Sequence, residues 1–108
     1  MKCHVVRCFD DTPGVLALHV VRVPEISRFF GIVVAMYYDD HPPPHFHVRS
    51  GEHRAIVEIE TGAVLFGSLP PRVLGMVVEW SALHAGELTK NWARARARAP
   101  LMPIEPLE

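Results

Sequence analysis

The sequence predicts an α+β domain in which a small antiparallel sheet of three to four strands is packed by two C-terminal helices. Three observations lead there. Runs rich in β-branched and aromatic residues recur through the stretch from 32 to 66. Glycine-bearing turns, Ser50-Gly51-Glu52-His53 and Thr61-Gly62, separate those runs. Beyond Pro70-Pro71 the apolar residues change to helical spacing.

The first strand is IVVAMYY, opened by Gly31 and closed by Asp39-Asp40. Its apolar residues occupy both parities, which predicts cover on both faces. Pro42, Pro43 and Pro44 follow, without N–H groups for a sheet ladder, so this stretch is extended or turn-like. Whether any of the three X-Pro bonds is cis is open. HFHVRS and HRAIVEIE then flank a hairpin tip. A two-residue loop at Gly51-Glu52 pairs Arg49 with Arg54, His47 with Ile56 and His45 with Glu58. That register puts Phe46, Val48, Ala55, Val57 and Ile59 on one face. His45, His47, Arg49, Arg54, Glu58 and Glu60 share the other with Ile56, an outward and charged surface. AVLF, residues 63–66, makes a last short strand. Val73, Leu74, Val77, Val78, Trp80 and Leu83 give the first helix its apolar side; Gly86 is the expected break, and Leu88 and Trp92 anchor the second helix. Pro100, Pro103 and Pro106 mark residues 99–108 as a flexible tail.

At 108 residues, 49% of them hydrophobic, the chain is long enough for one core. Its net charge of −1 supplies no basic field for nucleic acid. The run at 32–36 is far too short to span a bilayer, so no membrane partner is expected, and without a signal-peptide pattern the default location is cytoplasmic. Cys3 and Cys8 are too few for a structural zinc site of their own.

DDHPPPHFHV, residues 39–48, gathers the chemistry. His45 and His47, two apart on a strand, project to one side. Read as a metal site, His41, His45 and His47 are completed by Glu58 or Asp40, and a divalent transition ion such as zinc suits these donors. Read as metal-free catalysis with no cofactor, the two imidazoles form an acid–base pair on RNA, a metal-independent ribonuclease. Arg28 or Arg72 would then stabilise the charge that builds on phosphorus. Read structurally, the histidines are exposed residues on a solvated strand face, donors that satisfy the neighbouring proline-rich turn, or part of a polar face that docks a partner protein without catalysis. His84 reads as a satisfied semi-buried side chain, Trp80 and Trp92 as core or interface aromatics, and Arg94, Arg96 and Arg98 as a solvated helix end. No phosphate-binding glycine loop or GxSxG elbow is present.

PEISRFFGIVVAMYYDDH (24–41), PPHFHV (43–48), IETGAVLFGSLPPR (59–72) and EWSALHAGEL…NW (79–92) together resemble the small bacterial family called domain of unknown function 4160. The resemblance spans roughly four fifths of the chain, and PPHFH is its specific element. It carries over Ser27, Arg28, His41, Pro43, Pro44, His45, Phe46, His47, Arg72, Glu79 and Trp80. Pro42 stands where asparagine is common, and Ala93 follows Asn91-Trp92 where an acidic residue is frequent. The resemblance implies a gene neighbour of the domain of unknown function 2442 type, hence a toxin-like member of a toxin–antitoxin pair. Such a protein would act on RNA or translation through its His/Arg face, with a small antitoxin-like partner and with homo-oligomers allowed. Relatives begin Met-Pro where this chain reads Val23-Pro24. Residues 1–22 are therefore either an extension from an earlier start or a β-hairpin, followed by one domain over 23–98.

Overall fold

The computed structural model describes residues 24–108. The two readings of residues 1–22, with Cys3, Cys8, His4 and His19, lie outside the described residues. An antiparallel sheet runs in chain order through β1 (Glu25–Phe29), β2 (Ile32–Ala35), β3 (His45–Ser50), β4 (His53–Glu58) and β5 (Val64–Gly67). Two helices follow, α1 (Pro71–Leu83) and α2 (Ala85–Arg96). The α+β class is as expected, but the sheet has five strands rather than three to four. The additional one, β1, turns into β2 through Phe30 and Gly31, both at positive φ (49° and 78°). Two left-handed residues match the twist of a tight hairpin, and glycine takes that conformation without a Cβ penalty. Ile26 falls where the β1–β2 register shifts, and that bulge hides the strand's short alternation.

The β3–β4 hairpin has the expected register: His45 faces Glu58, His47 faces Ile56 and Arg49 faces Arg54. All four residues of β2 are buried, as two-sided apolar parity requires. The peptide bond between Pro42 and Pro43 is cis. At the end of β5, Gly67 has φ +81°, and a Cβ there would lie 2.1 Å from the Arg54 carbonyl oxygen, so only glycine fits.

One face of the sheet carries the main core: Ile32 and Val34 from β2, Phe46 and Val48 from β3, and Val57 from β4. Helix α1 lays Val77 and Trp80 on it; the Trp80 ring sits 5.5 Å from Phe29 and 5.8 Å from Phe46, centroid to centroid. Val78 and Leu83, expected on the apolar side of this helix, are exposed, because the face centred on Val77 and Trp80 leaves them a third of a turn away. The chain breaks between the helices at His84, and Gly86 lies inside α2 rather than between the helices. Leu88 and Trp92 are buried from α2, as their spacing predicts, and Asn91 is buried with them.

Residues 99–108, the expected flexible tail, take no helix or strand, yet they are fastened along their length. Asn91 donates from Nδ2 to the Met102 carbonyl (2.8 Å) and accepts from the Met102 N–H (2.9 Å). The Ile104 N–H donates to the Ile26 carbonyl, and Ser27 Oγ donates to the Ile104 carbonyl. The Trp80 indole donates to the Glu105 carbonyl. Ile104 itself is 4% exposed. No helix among the described residues is long and apolar enough to cross a membrane.

Candidate metal centre

Strand alternation brings His45 and His47 to the same side of β3, opposite Phe46 and Val48. That side is not an open charged surface at this end. His45 is 7% and His47 0% exposed, which corrects the expectation of outward imidazoles. The reason lies outside the hairpin. The segment between β2 and β3 folds Tyr37 edge-on to His47 (4.5 Å between centroids), and α2 sets Trp92 against His45 (5.1 Å). Asp40, from the same segment, sets its carboxylate against the edges of both rings and is itself buried.

Two imidazoles therefore converge on one carboxylate oxygen. His47 Nε2 lies 2.8 Å and His45 Nε2 3.1 Å from Asp40 Oδ2. The other ring nitrogen of His45, Nδ1, is 2.7 Å from the Pro43 carbonyl oxygen. A carbonyl only accepts, so Nδ1 carries the hydrogen and Nε2 is the atom turned to the carboxylate. A bare lone pair facing a carboxylate oxygen at this distance would be repelled. The Nε2 of His45 must hold a proton or face a cation.

The charges follow that geometry. Burial by itself would raise the Asp40 carboxyl, but the hydrogen bonds from His45 and His47, and the positive charge they carry when protonated, outweigh it and hold Asp40 well below the usual carboxylate range. Burial would lower His45; the bonds to Asp40 and to the Pro43 carbonyl outweigh it and raise the ring above its ordinary value.

Asp40, His45 and His47 can each offer one ligand atom, all within 4.8 Å of one another, and the three are buried together. Metal–ligand bonds of about 2.1 Å place neighbouring donors roughly 3.0 Å apart at octahedral angles and roughly 3.4 Å apart at tetrahedral ones. The two carboxylate–imidazole separations, 2.8 and 3.1 Å, bracket the first of these. A ligating histidine ordinarily donates its second nitrogen to a carbonyl or carboxylate, which fixes tautomer and ring orientation. The Pro43 carbonyl does this for His45.

The remaining sequence candidates lie elsewhere. His41 is exposed and outside the cluster. Glu58 faces His45 across the ladder, but its Oε1 accepts from Thr61 Oγ1 (2.9 Å). Of the two carboxylates able to complete the ligand set, Asp40 is the one in place. Arg28, on β1, pairs with Glu25 through two 2.9 Å bonds at the surface, and those bonds raise the guanidinium pKa while lowering that of the carboxylate. Arg72 is exposed at the start of α1, and Glu79 is exposed further along it. The structure thus unites His45 and His47 and brings neither Arg28 nor Arg72 among the groups that touch them.

Two residues at the site had no sequence signal pointing to it. Trp92 covers His45, and Arg96, one helical turn on, stacks over Trp92 with its guanidinium carbon 5.9 Å from the ring centroid. An Arg96 nitrogen also approaches the Asp40 carbonyl oxygen at 3.5 Å, while Arg98 pairs with Asp39 at 2.7 Å. The end of α2 is tied twice to the segment that carries Asp40.

Among curated proteins and among solved structures nothing matches the chain. Its PPHFH element, the β2–β5 sheet and both helices up to Ala93 fall within residues 31–93, which match the family model described as Domain of unknown function (DUF4160), and the chain belongs to that family.

Proposed function

We propose that this is a metal-binding protein whose centre is Asp40, His45 and His47, holding a divalent first-row transition ion such as zinc or iron(II). One observation carries the reading: two buried imidazole Nε2 atoms meet at a single carboxylate oxygen while His45 Nδ1 is committed to a backbone carbonyl. Two histidines and one carboxylate are a known donor set for such ions, and three protein ligands leave coordination positions open. A bound ion would supply Lewis acidity at those positions. The chain's own part is to neutralise charge with Asp40, hold the His45 ring through Pro43, and limit water with Tyr37 and Trp92.

The toxin-like role on RNA or translation, with an antitoxin-like partner, rests on the family resemblance, and docking by the polar face rests on the sequence pattern of the hairpin. Exposures of 7% and 0% at His45 and His47 favour ion ligation over contact with a polynucleotide. Elemental analysis of protein purified without a histidine tag tests the proposal. About one equivalent of metal is expected in the parent and a small fraction of that in a folded His47→Ala variant. A metal-free parent that also fails to take up zinc, iron(II) or cobalt(II) on titration removes the reading.

A further inference from the structure

We infer that the open coordination side of this centre receives a small oxyanion, a carboxylate or phosphate group, with Arg96 as its counter-charge. The inference rests on the metal reading and specifies what the centre takes up. Among the three ligand side chains the exposure is graded: 0% for His47, 4% for Asp40 and 9% for His45. His45 is thus the most accessible of the three ligands. The His45 ring packs against Trp92, the Arg96 guanidinium stacks over Trp92, and the same guanidinium reaches the Asp40 backbone, so its charge lies beside two of the three ligands.

Arg96 is itself exposed, and its charge is not consumed by a buried partner. The acceptor it touches is the Asp40 carbonyl at 3.5 Å, a long bond that leaves most of its five donors available. A guanidinium near a helix C-terminus is often explained by the helix dipole, in which case its own last carbonyls would be the acceptors. Here the contact is instead to the residue that supplies the carboxylate ligand. The centre's formal charge supports the same choice: a divalent ion with one carboxylate and two neutral imidazoles keeps a net positive charge, and the adjacent guanidinium adds another. An anion with two oxygens can satisfy both, one on the ion and one on the planar fork of arginine.

Cobalt(II) loading of the full chain, followed by its visible spectrum, provides the test, with acetate and inorganic phosphate as separate probes. The parent should bind cobalt(II), and one or both anions should shift the absorption bands with saturation. Arg96→Gln should keep the cobalt(II) spectrum but need about tenfold more anion or higher for the same shift, the scale of one charge-assisted bond. Arg96→Lys, which retains the charge, should recover a large part of that loss. A parent spectrum that neither anion alters, or an Arg96→Gln midpoint equal to the parent's, overturns the anion site while leaving the metal centre standing. An Arg96→Lys variant as weak as Arg96→Gln overturns it too, because packing rather than charge would then be responsible. Failure of the parent to bind cobalt(II) at all overturns the metal reading and this inference together.

Discussion

The outward side of the β3–β4 hairpin has two ends with opposite fates. At one end His45 and His47 are buried around Asp40; at the other, Arg49 and Arg54 face each other across the ladder and are exposed. Strand, register and alternation are the same at both ends. The difference comes from what folds over them. The segment between β2 and β3 and the end of α2 reach the histidine end, bringing Tyr37, Asp40 and Trp92. Side-chain period determines which face a residue joins, and contacts distant in sequence determine whether that face meets water.

The largest break in this contrast should come from Asp40→Ala. It would leave two buried imidazoles without their shared carboxylate, a kind of change that costs about 3–5 kcal/mol. Urea unfolding of the metal-free protein measures it, and a loss below about 1 kcal/mol would mean that the histidine end is as loosely held as the arginine end.

The pH dependence of the metal-free protein sharpens the contrast next. The Asp40 pKa is lowered by folding, so its contribution is complete above an unfolded value of about 3.9 and disappears as pH falls through the lower folded one. The His45 pKa is raised, so its contribution is complete below about 6.5 and disappears as pH rises through the higher folded value. The stability difference between the parent and Asp40→Ala should therefore be greatest between about pH 4 and 6.5 and shrink on both sides. A difference that does not change from pH 3 to 9 would dissociate the buried cluster from stability.

The smallest effect belongs to Arg49→Thr. Removing one of two like charges that face each other on an exposed ladder, the one whose field also favours the Glu25 carboxylate, should change stability by no more than about 0.5 kcal/mol in either direction. A loss of more than about 1 kcal/mol in the same unfolding measurement would show that the arginine end is also a built site.

What was legible follows the same division. The hairpin register could be read because Gly51-Glu52 is a local turn and Phe46, Val48, Ala55 and Val57 alternate without interruption. Two-sided burial of β2 was equally local. Strand β1 was hidden by its bulge at Ile26. In the site, strand spacing identified His45 and His47, but cross-strand position made Glu58 as good a carboxylate as Asp40, and only the geometry separates them, since Thr61 takes Glu58. His41 shares the histidine-rich stretch, yet the proline turn leaves it in solvent. Trp92 and Arg96 meet the site through an approach of elements some fifty residues apart in sequence, which no short-range period encodes.

The fastening of Ile104 to Ile26 and Ser27 bears on how the molecule meets its neighbours. An outer strand normally offers unfilled amide and carbonyl groups on which another chain can align. Along β1 this chain answers part of that invitation with its own last residues, which act as a built-in selvedge. The opposite margin at β5, where Leu65 and Phe66 stand 45% and 64% exposed, has no such hem from the tail, so among the described residues it is the more open margin for strand-to-strand association.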